Sequence, residues 1–247
     1  MIKKCQITLE QIQNNLNKKA NSKRSLFLAK YLRAEQYGLG DKFLGLSVPD
    51  IRIISEQIGN LDFSILKSLI DSRIHEERFL AIINLVTQFE EFQKNQKLMQ
   101  KKIIFEFYIN EMLNGIDNWD LVDVSASKII GAYLIDKPKL KDYYLHDILS
   151  ISPNLWHRRI AMIATFRFIK NDNFNDTIKL AKLFLNDKED LIHKSVGWML
   201  REMGKRQEDL LINFLEENYQ KMPRVMLRYS IERLNSELKI KYLNKNL

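Results

Sequence analysis

Apolar residues recur at spacings of three and four along almost the whole chain, and no stretch alternates apolar and polar long enough to form a convincing strand. Ile7, Leu9, Ile12 and Leu16, set among Gln, Asn and Lys, predict an amphipathic helix over 7–19. A break at Ala20-Asn21-Ser22 leads to a second helix over 23–35, and Ser47-Val48-Pro49-Asp50 opens a third that closes at Gly59. The pattern then predicts helices over 63–71, 75–92, 95–113, 119–134, 140–149, 153–169, 174–185, 190–203, 208–219 and 223–234, with a short tail from Glu237. Pro49, Pro153 and Pro223 fall at or just inside helix starts, Pro138 stands just ahead of one, and Gly59, Gly115 and Gly204 fall just past helix ends. The helices pair through short turns, each pair taking about 35–45 residues, as in HEAT-like repeats. The expected fold is all-α, a curved α-solenoid (superhelix) of antiparallel HEAT-like helix pairs, in one domain spanning residues 1–247.

Composition agrees with that reading. Gly (8) and Pro (4) are scarce in 247 residues, too few for the turns of an all-β fold. Lys plus Arg outnumber Asp plus Glu by 39 to 31, and the resulting +8 permits a polyanionic partner without proving one. A single Cys5 makes neither an internal disulfide nor a thiolate metal cluster. The Met1-Ile2-Lys3-Lys4-Cys5-Gln6 start has no apolar signal region, and no apolar run approaches membrane-spanning length, so a cytoplasmic protein is expected.

Some chemistries are poorly supported. The Tyr37–Gly45 stretch is the glycine-richest of the chain, but no Gly-Lys-Ser/Thr follows it, so it is a loop and not a phosphate cradle. His75, His146, His157 and His193 lack metal-ligand spacing, and no Gly-x-Ser-x-Gly elbow presents a serine nucleophile. His193, in the first turn of its helix, reads as a structural hydrogen-bonding residue.

Four segments carry more specific possibilities. In Asn118-Trp119-Asp120-Leu121-Val122-Asp123, Asn118 or Asp117 would cap a helix with Asp120 in its electropositive first turn. Trp119 and Asp123, four apart, share a face of that helix, where an indole wall beside a carboxylate suits a substrate that becomes cationic. A half-buried tryptophan near a helix end is the plainer alternative. Arg158 and Arg159 interrupt an apolar run; in the plain reading one reaches solvent and the other pairs with a carboxylate, and in the functional reading one points into a groove and meets a phosphate. On the helix from Asp190, Lys194, Trp198, Arg201 and Lys205 fall on one side at i, i+4, i+7 and i+11, a cationic aromatic face suited to a polyanion bearing bases. Gly197 inside that helix costs about 1 kcal/mol against Ala, which points to close approach by another element. Arg224 and Arg228 repeat at i, i+4 and suit either a charge network or a phosphate contact.

Taken in order, Asn118–Asp123, Trp156-His157-Arg158-Arg159-Ile160-Ala161 and Asp190–Glu202 resemble the AlkD family of DNA alkylpurine glycosylases. Val48-Pro49-Asp50-Ile51-Arg52 and Met222–Tyr229 extend the resemblance along nearly the whole chain. It implies a HEAT-like superhelix holding duplex DNA, and hydrolysis of the glycosidic bond of cationic N3- and N7-alkylated purines without metal or cofactor. By the same resemblance Asp123 is the catalytic carboxylate, Trp119 and Trp198 contact the deoxyribose of the lesion, and Arg159 completes the cleft. Arg52 and Arg201 match positions that hold the DNA backbone, and Tyr31 matches a cleft tyrosine. With Lys194 and Lys205 these make up the expected DNA contacts of a monomer. The Gly-Asp-Lys-Phe-Leu-Gly run in the Tyr37–Gly45 loop departs from the family pattern. Some relatives keep the active-site residues yet lack base excision, so a non-catalytic HEAT-like protein binding unusual or branched DNA is the alternative, and a scaffold for protein partners a third.

Overall fold

The computed structural model describes residues 7–38 and 40–244. Cys5, the Met1–Gln6 start and Leu39 lie outside the described residues. Among the described residues the protein is all-α, with no strand and one backbone bridge between Lys42 and Ile74. Among the described residues no helix is long and apolar enough to cross a membrane. The chain divides into two compact units, 1–125 and 126–247.

The first unit contains α1 (Leu9–Asn17), α2 (Ser22–Tyr31), α3 (Val48–Ile58), α4 (Phe63–Ile70), α5 (His75–Lys94), α6 (Leu98–Phe107) and α7 (Trp119–Ser125). Local chemistry sets their starts. Thr8 Oγ1 accepts from Gln11 N while Gln11 Oε1 accepts from Thr8 N, a reciprocal cap on α1. Asn21 and Ser47 cap α2 and α3, and Pro49 sits in the first turn of α3. Gly59 ends α3 at φ 70°, a conformation open to glycine. Every residue of α5 from His75 to Val86 is buried, because α1, α3, α4, α6 and α7 all pack on it. A helix covered all round loses its polar face, so its buried polar groups must find partners inside. Asn84 does so by donating to Ser55 Oγ and Gly59 O and accepting from Leu61 N, which locks the α3–α4 turn to α5.

The second unit contains α8 (Ala132–Leu134), α9 (Pro138–Lys141), α10 (Leu155–Ile169), α11 (Asn175–Leu183), α12 (Asp190–Gly204), α13 (Glu208–Asn218), α14 (Arg224–Ser230) and α15 (Ser236–Leu243). Its core is α10 and α12, which pack on each other, with α11 against both and α13 and α14 against α12. Pro153 stands outside α10, whose cap is Asn154; Pro223 is itself the cap of α14, and Pro138 opens α9.

Two features escape a 3.6-residue reading. The segments predicted as continuous over 95–113, 119–134 and 140–149 contain π-helical turns at Tyr108–Met112, Ser127–Gly131 and Asp142–Leu149, where one extra residue is accommodated. The i→i+5 bond from Gly131 N to Ala126 O (2.9 Å) belongs to one of them, and Gly131 lies where a Cβ would be 2.3 Å from Ala164 O of α10. The second feature is the role of glycine. Gly115 and Gly204 stand at helix ends, yet close packing accounts for them: a Cβ would meet Ile70 O at 2.6 Å and Leu211 Cδ2 at 2.4 Å.

Gly197 lies where α14 packs on α12, with a Cβ there falling 2.5 Å from both Met226 O and Tyr229 Cβ. Gly197→Ala gains about 1 kcal/mol of helix propensity but forces two packed helices apart, so a net loss of about 1–3 kcal/mol is expected in urea denaturation. An unchanged or raised midpoint would contradict this packing account.

Candidate active site

In the first unit the site is built on α7. Asn118 is fully buried; its Oδ1 accepts from Trp119 N (2.8 Å) and its amide donates to Leu32 O (3.0 Å), just past the end of α2. Asp120 accepts from Leu121 N through Oδ1 (2.9 Å) and meets His75 Nε2 through Oδ2 (2.8 Å). Asn118 and Asp120 thus divide the start of the helix between them. Trp119 and Asp123, both half-buried, lie one turn apart on α7. Tyr31, the last residue of α2, meets the Trp119 ring edge-on with centroids 5.5 Å apart, and Phe27 stacks on Tyr31 at 5.7 Å. The structure therefore brings Tyr31 to Trp119, with Asp123 on the next turn. Arg52 is exposed on α3.

Beneath α7 lies a charge network that reading by periodicity missed. His75, Glu76, Glu77 and Arg78 are all buried at the start of α5. Glu76 Oε1 accepts from Gly45 N (2.7 Å) and Leu46 N (3.3 Å), and its Oε2 from Leu44 N (2.9 Å), so one carboxylate pins the end of the glycine-rich loop. Arg78 Nη2 lies 2.5 Å from Asp41 Oδ2 and 3.1 Å from Asp117 Oδ1, while its Nη1 donates to Ser72 O. Burial works against charging His75, but Asp120 and Asp41 outweigh it and raise its pKa to about 9. Asp41 is itself buried, but hydrogen bonds and charge from His75 and Arg78 hold its carboxyl below the usual range. Burial pushes Asp117 up, against the pull of Arg78. The available sequence signal was the His-Glu-Glu-Arg run immediately ahead of an apolar stretch.

The second unit holds the other candidates. Arg158 and Arg159 have different partners. Arg158 pairs with Asp187 through Nε (2.7 Å) and Nη2 (3.3 Å), whereas Arg159 is buried and donates from Nη1 to Leu191 O (2.6 Å) in the first turn of α12. His193 donates to Asp187 O (2.6 Å), a structural bond. Trp198 is half-buried against Phe166 of α10, ring centroids 6.0 Å apart. The cationic side of α12 carries its own acids. Lys194 pairs with Asp190 (2.8 Å), Lys205 with Glu202 (2.7 Å), and Arg201 with Glu202 (3.2 Å) and Glu232. Arg224 donates to Leu243 O (2.7 Å), capping the carboxyl end of α15, and so it serves the fold. Asp142, His146 and Asp176 bring three potential metal-ligand atoms within 4.8 Å of one another, but Asp176 is already bonded to His146 (3.0 Å) and paired with Lys141 (2.7 Å).

The chain has relatives among known proteins. The sequence profile of the family described as "DNA alkylation repair enzyme" matches residues 12–234. The structure is similar to a predicted DNA alkylation repair enzyme from Enterococcus faecalis, with a TM-score of 0.64 and 16% identity over 88% of this chain and 98% of that one. It is also similar to smu.31 from Streptococcus mutans UA159, with a TM-score of 0.51 and 18% identity over 92% of this chain and 100% of that one. At these identities the likeness shows the fold, the all-α HEAT-like solenoid class expected from the sequence. No curated protein matches.

His75 gives this site a pH signature. Its folded pKa, about 9, lies above its ordinary 6.5, so its stabilising contribution is complete below about pH 6.5 and is lost as pH rises through about 9. The urea midpoint of the wild type should therefore fall over that window more than that of His75→Gln, and the two curves should converge above it. Parallel curves across the window would show that the His75–Asp120 pair contributes nothing to stability.

Proposed function

Since the chain belongs to the DNA alkylation repair enzyme family, we propose that it is a glycosylase that hydrolyses the N-glycosidic bond of N3- and N7-alkylated purines in duplex DNA. The observation that supports this most is the placement of Trp119 and Asp123 one turn apart on α7, with the Tyr31 ring at the Trp119 edge. A purine alkylated at N3 or N7 already carries a positive charge. When its bond to C1′ breaks, the electron pair leaves with the purine, which departs neutral and needs no general acid. The positive charge passes to the deoxyribose. An ionised Asp123 stabilises that charge and orients the water whose oxygen adds to C1′, accepting or relaying its proton. Trp119 adds the negative face of its indole to that developing cation, and Trp198 takes the deoxyribose contact that the family resemblance assigns it. Arg159 takes the role at the lesion that the family resemblance assigns it, and Tyr31, Arg52, Lys194, Arg201 and Lys205 hold the DNA. The lesion stays in the duplex and is attacked from its exposed backbone, by a monomer and without metal or cofactor.

The pairing of the α12 cations bears on how binding works. A phosphate approaching Lys194, Arg201 or Lys205 takes the place of a carboxylate already there. Net attraction at these positions is therefore smaller than three bare cations would give, and falls with salt.

Two opposite charges about 4 Å apart at an effective dielectric near 20 interact by about 4 kcal/mol, or roughly three orders of magnitude in rate. Asp123→Asn should accordingly retain DNA binding while base release from methylated duplex falls by at least about 100-fold, as measured by chromatography of freed 7-methylguanine and 3-methyladenine. Undiminished release would remove Asp123 from the chemistry. DNA binding with no release by the wild type would favour a non-catalytic DNA-binding protein.

A further inference from the structure

Helix α2 has a surface unlike the other helices of its unit. None of its ten residues is buried, and Leu26, Phe27 and Tyr31 expose 77%, 62% and 57% of their surface. Lys23, Arg24 and Lys30 are interleaved with them, and the helix carries no acid. Among the described residues these three cations have no carboxylate partner, whereas Lys194, Arg201 and Lys205 of α12 are each paired. The aromatic rings form a ladder. Phe27 stacks on Tyr31 with 12° between the rings, Tyr31 meets Trp119 edge-on, and Phe27 is the outer end of the series. Asn118 fixes the foot of the ladder by holding Leu32 O and Trp119 N together.

Ser25, Leu28 and Ala29 turn toward the rest of the unit, whereas the exposed aromatics set among these cations match one ligand chemistry closely. A nucleic-acid strand offers phosphates to the cations and, wherever a base is out of the stack, a flat ring to the aromatic. We propose that α2 is a stacking arm, with Phe27 receiving the face of an unpaired nucleobase and Lys23, Arg24 and Lys30 holding the phosphates beside it. The protein thereby favours DNA in which a base near the lesion is already unpaired. An anionic lipid surface offers charge to the same cations, but the ladder leads from Phe27 to Trp119 on the helix that carries Asp123, and this favours DNA. The inference rests on DNA being the ligand and is independent of base release.

The test uses the full chain and a duplex carrying 2-aminopurine as a single-nucleotide bulge, compared with the same duplex fully paired. The wild type should bind the bulged duplex about tenfold more tightly and quench its fluorescence. Phe27→Leu keeps an apolar side chain at an exposed position; it should lose the quenching and most of the preference while binding the paired duplex as before. Lys23→Ala/Arg24→Ala should flatten the salt dependence of binding by roughly 0.9 in slope for each duplex phosphate that is no longer neutralised. The proposal is overturned if the wild type binds bulged and paired duplex equally, if Phe27→Leu quenches like the wild type, or if Phe27→Leu impairs only binding to phosphatidylglycerol vesicles. Quenching without any base release would leave the stacking arm standing and remove the glycosylase reading. Absence of DNA binding at low salt would remove both.

Discussion

The bond between His75 and Asp120 is the contact on which the rest of the candidate site depends. It joins the first residue of α5, the helix around which the first unit is packed, to the first turn of α7, which carries Trp119 and Asp123. The remaining members of the network, Asp41, Arg78 and Asp117, tie the glycine-rich loop and the approach to α7 to the same point. Buried charges of this kind are costly to desolvate and are tolerated only when satisfied by partners. Here each charge meets at least one opposite charge, so a set of groups that would be unfavourable singly becomes a rigid mount. Asn118 extends it to α2 through Leu32 O, so Tyr31 and Trp119 hold their edge-on arrangement from both sides.

Electrostatics take different forms in the two units. In the second, Arg158 is matched to Asp187 and the α12 cations to Asp190, Glu202 and Glu232. Such pairs at a partly exposed surface are worth little to stability and can exchange partners when a phosphate arrives. In the first unit the α2 cations have no such partners among the described residues, while Asp41, Asp117 and Asp120 are held in the buried network. A net charge of +8 conceals this difference, because it counts paired and unpaired cations alike.

Helix by helix, the architecture was legible from apolar spacing and from the prolines and caps, since these are local signals. What spacing could not supply was the π-helical turns, which insert a residue without changing composition, and the identity of the elements facing Gly115, Gly131, Gly197 and Gly204. For Gly197 the energetic cost of glycine inside a helix did point to close approach, and Met226 and Tyr229 are what approach it. The Trp119–Asp123 pair was visible from a four-residue spacing, but its support was not. His75 and Asp120 are far apart in sequence, and a histidine at a helix start gives no indication of the carboxylate it will meet. On α12 the Arg201–Glu232 pair was not legible, because Glu232 comes from another part of the chain, whereas Asp190 and Glu202 stand within one turn of Lys194 and Lys205 on the same helix.

The central claim is that α7 carries the chemistry of a base-releasing enzyme. The most direct measurement incubates the purified wild-type chain with a duplex containing a single 7-methylguanine and follows both free base and abasic site. The account predicts equal amounts of the two, rising with time and enzyme. A chain that binds this duplex yet yields neither product would contradict it.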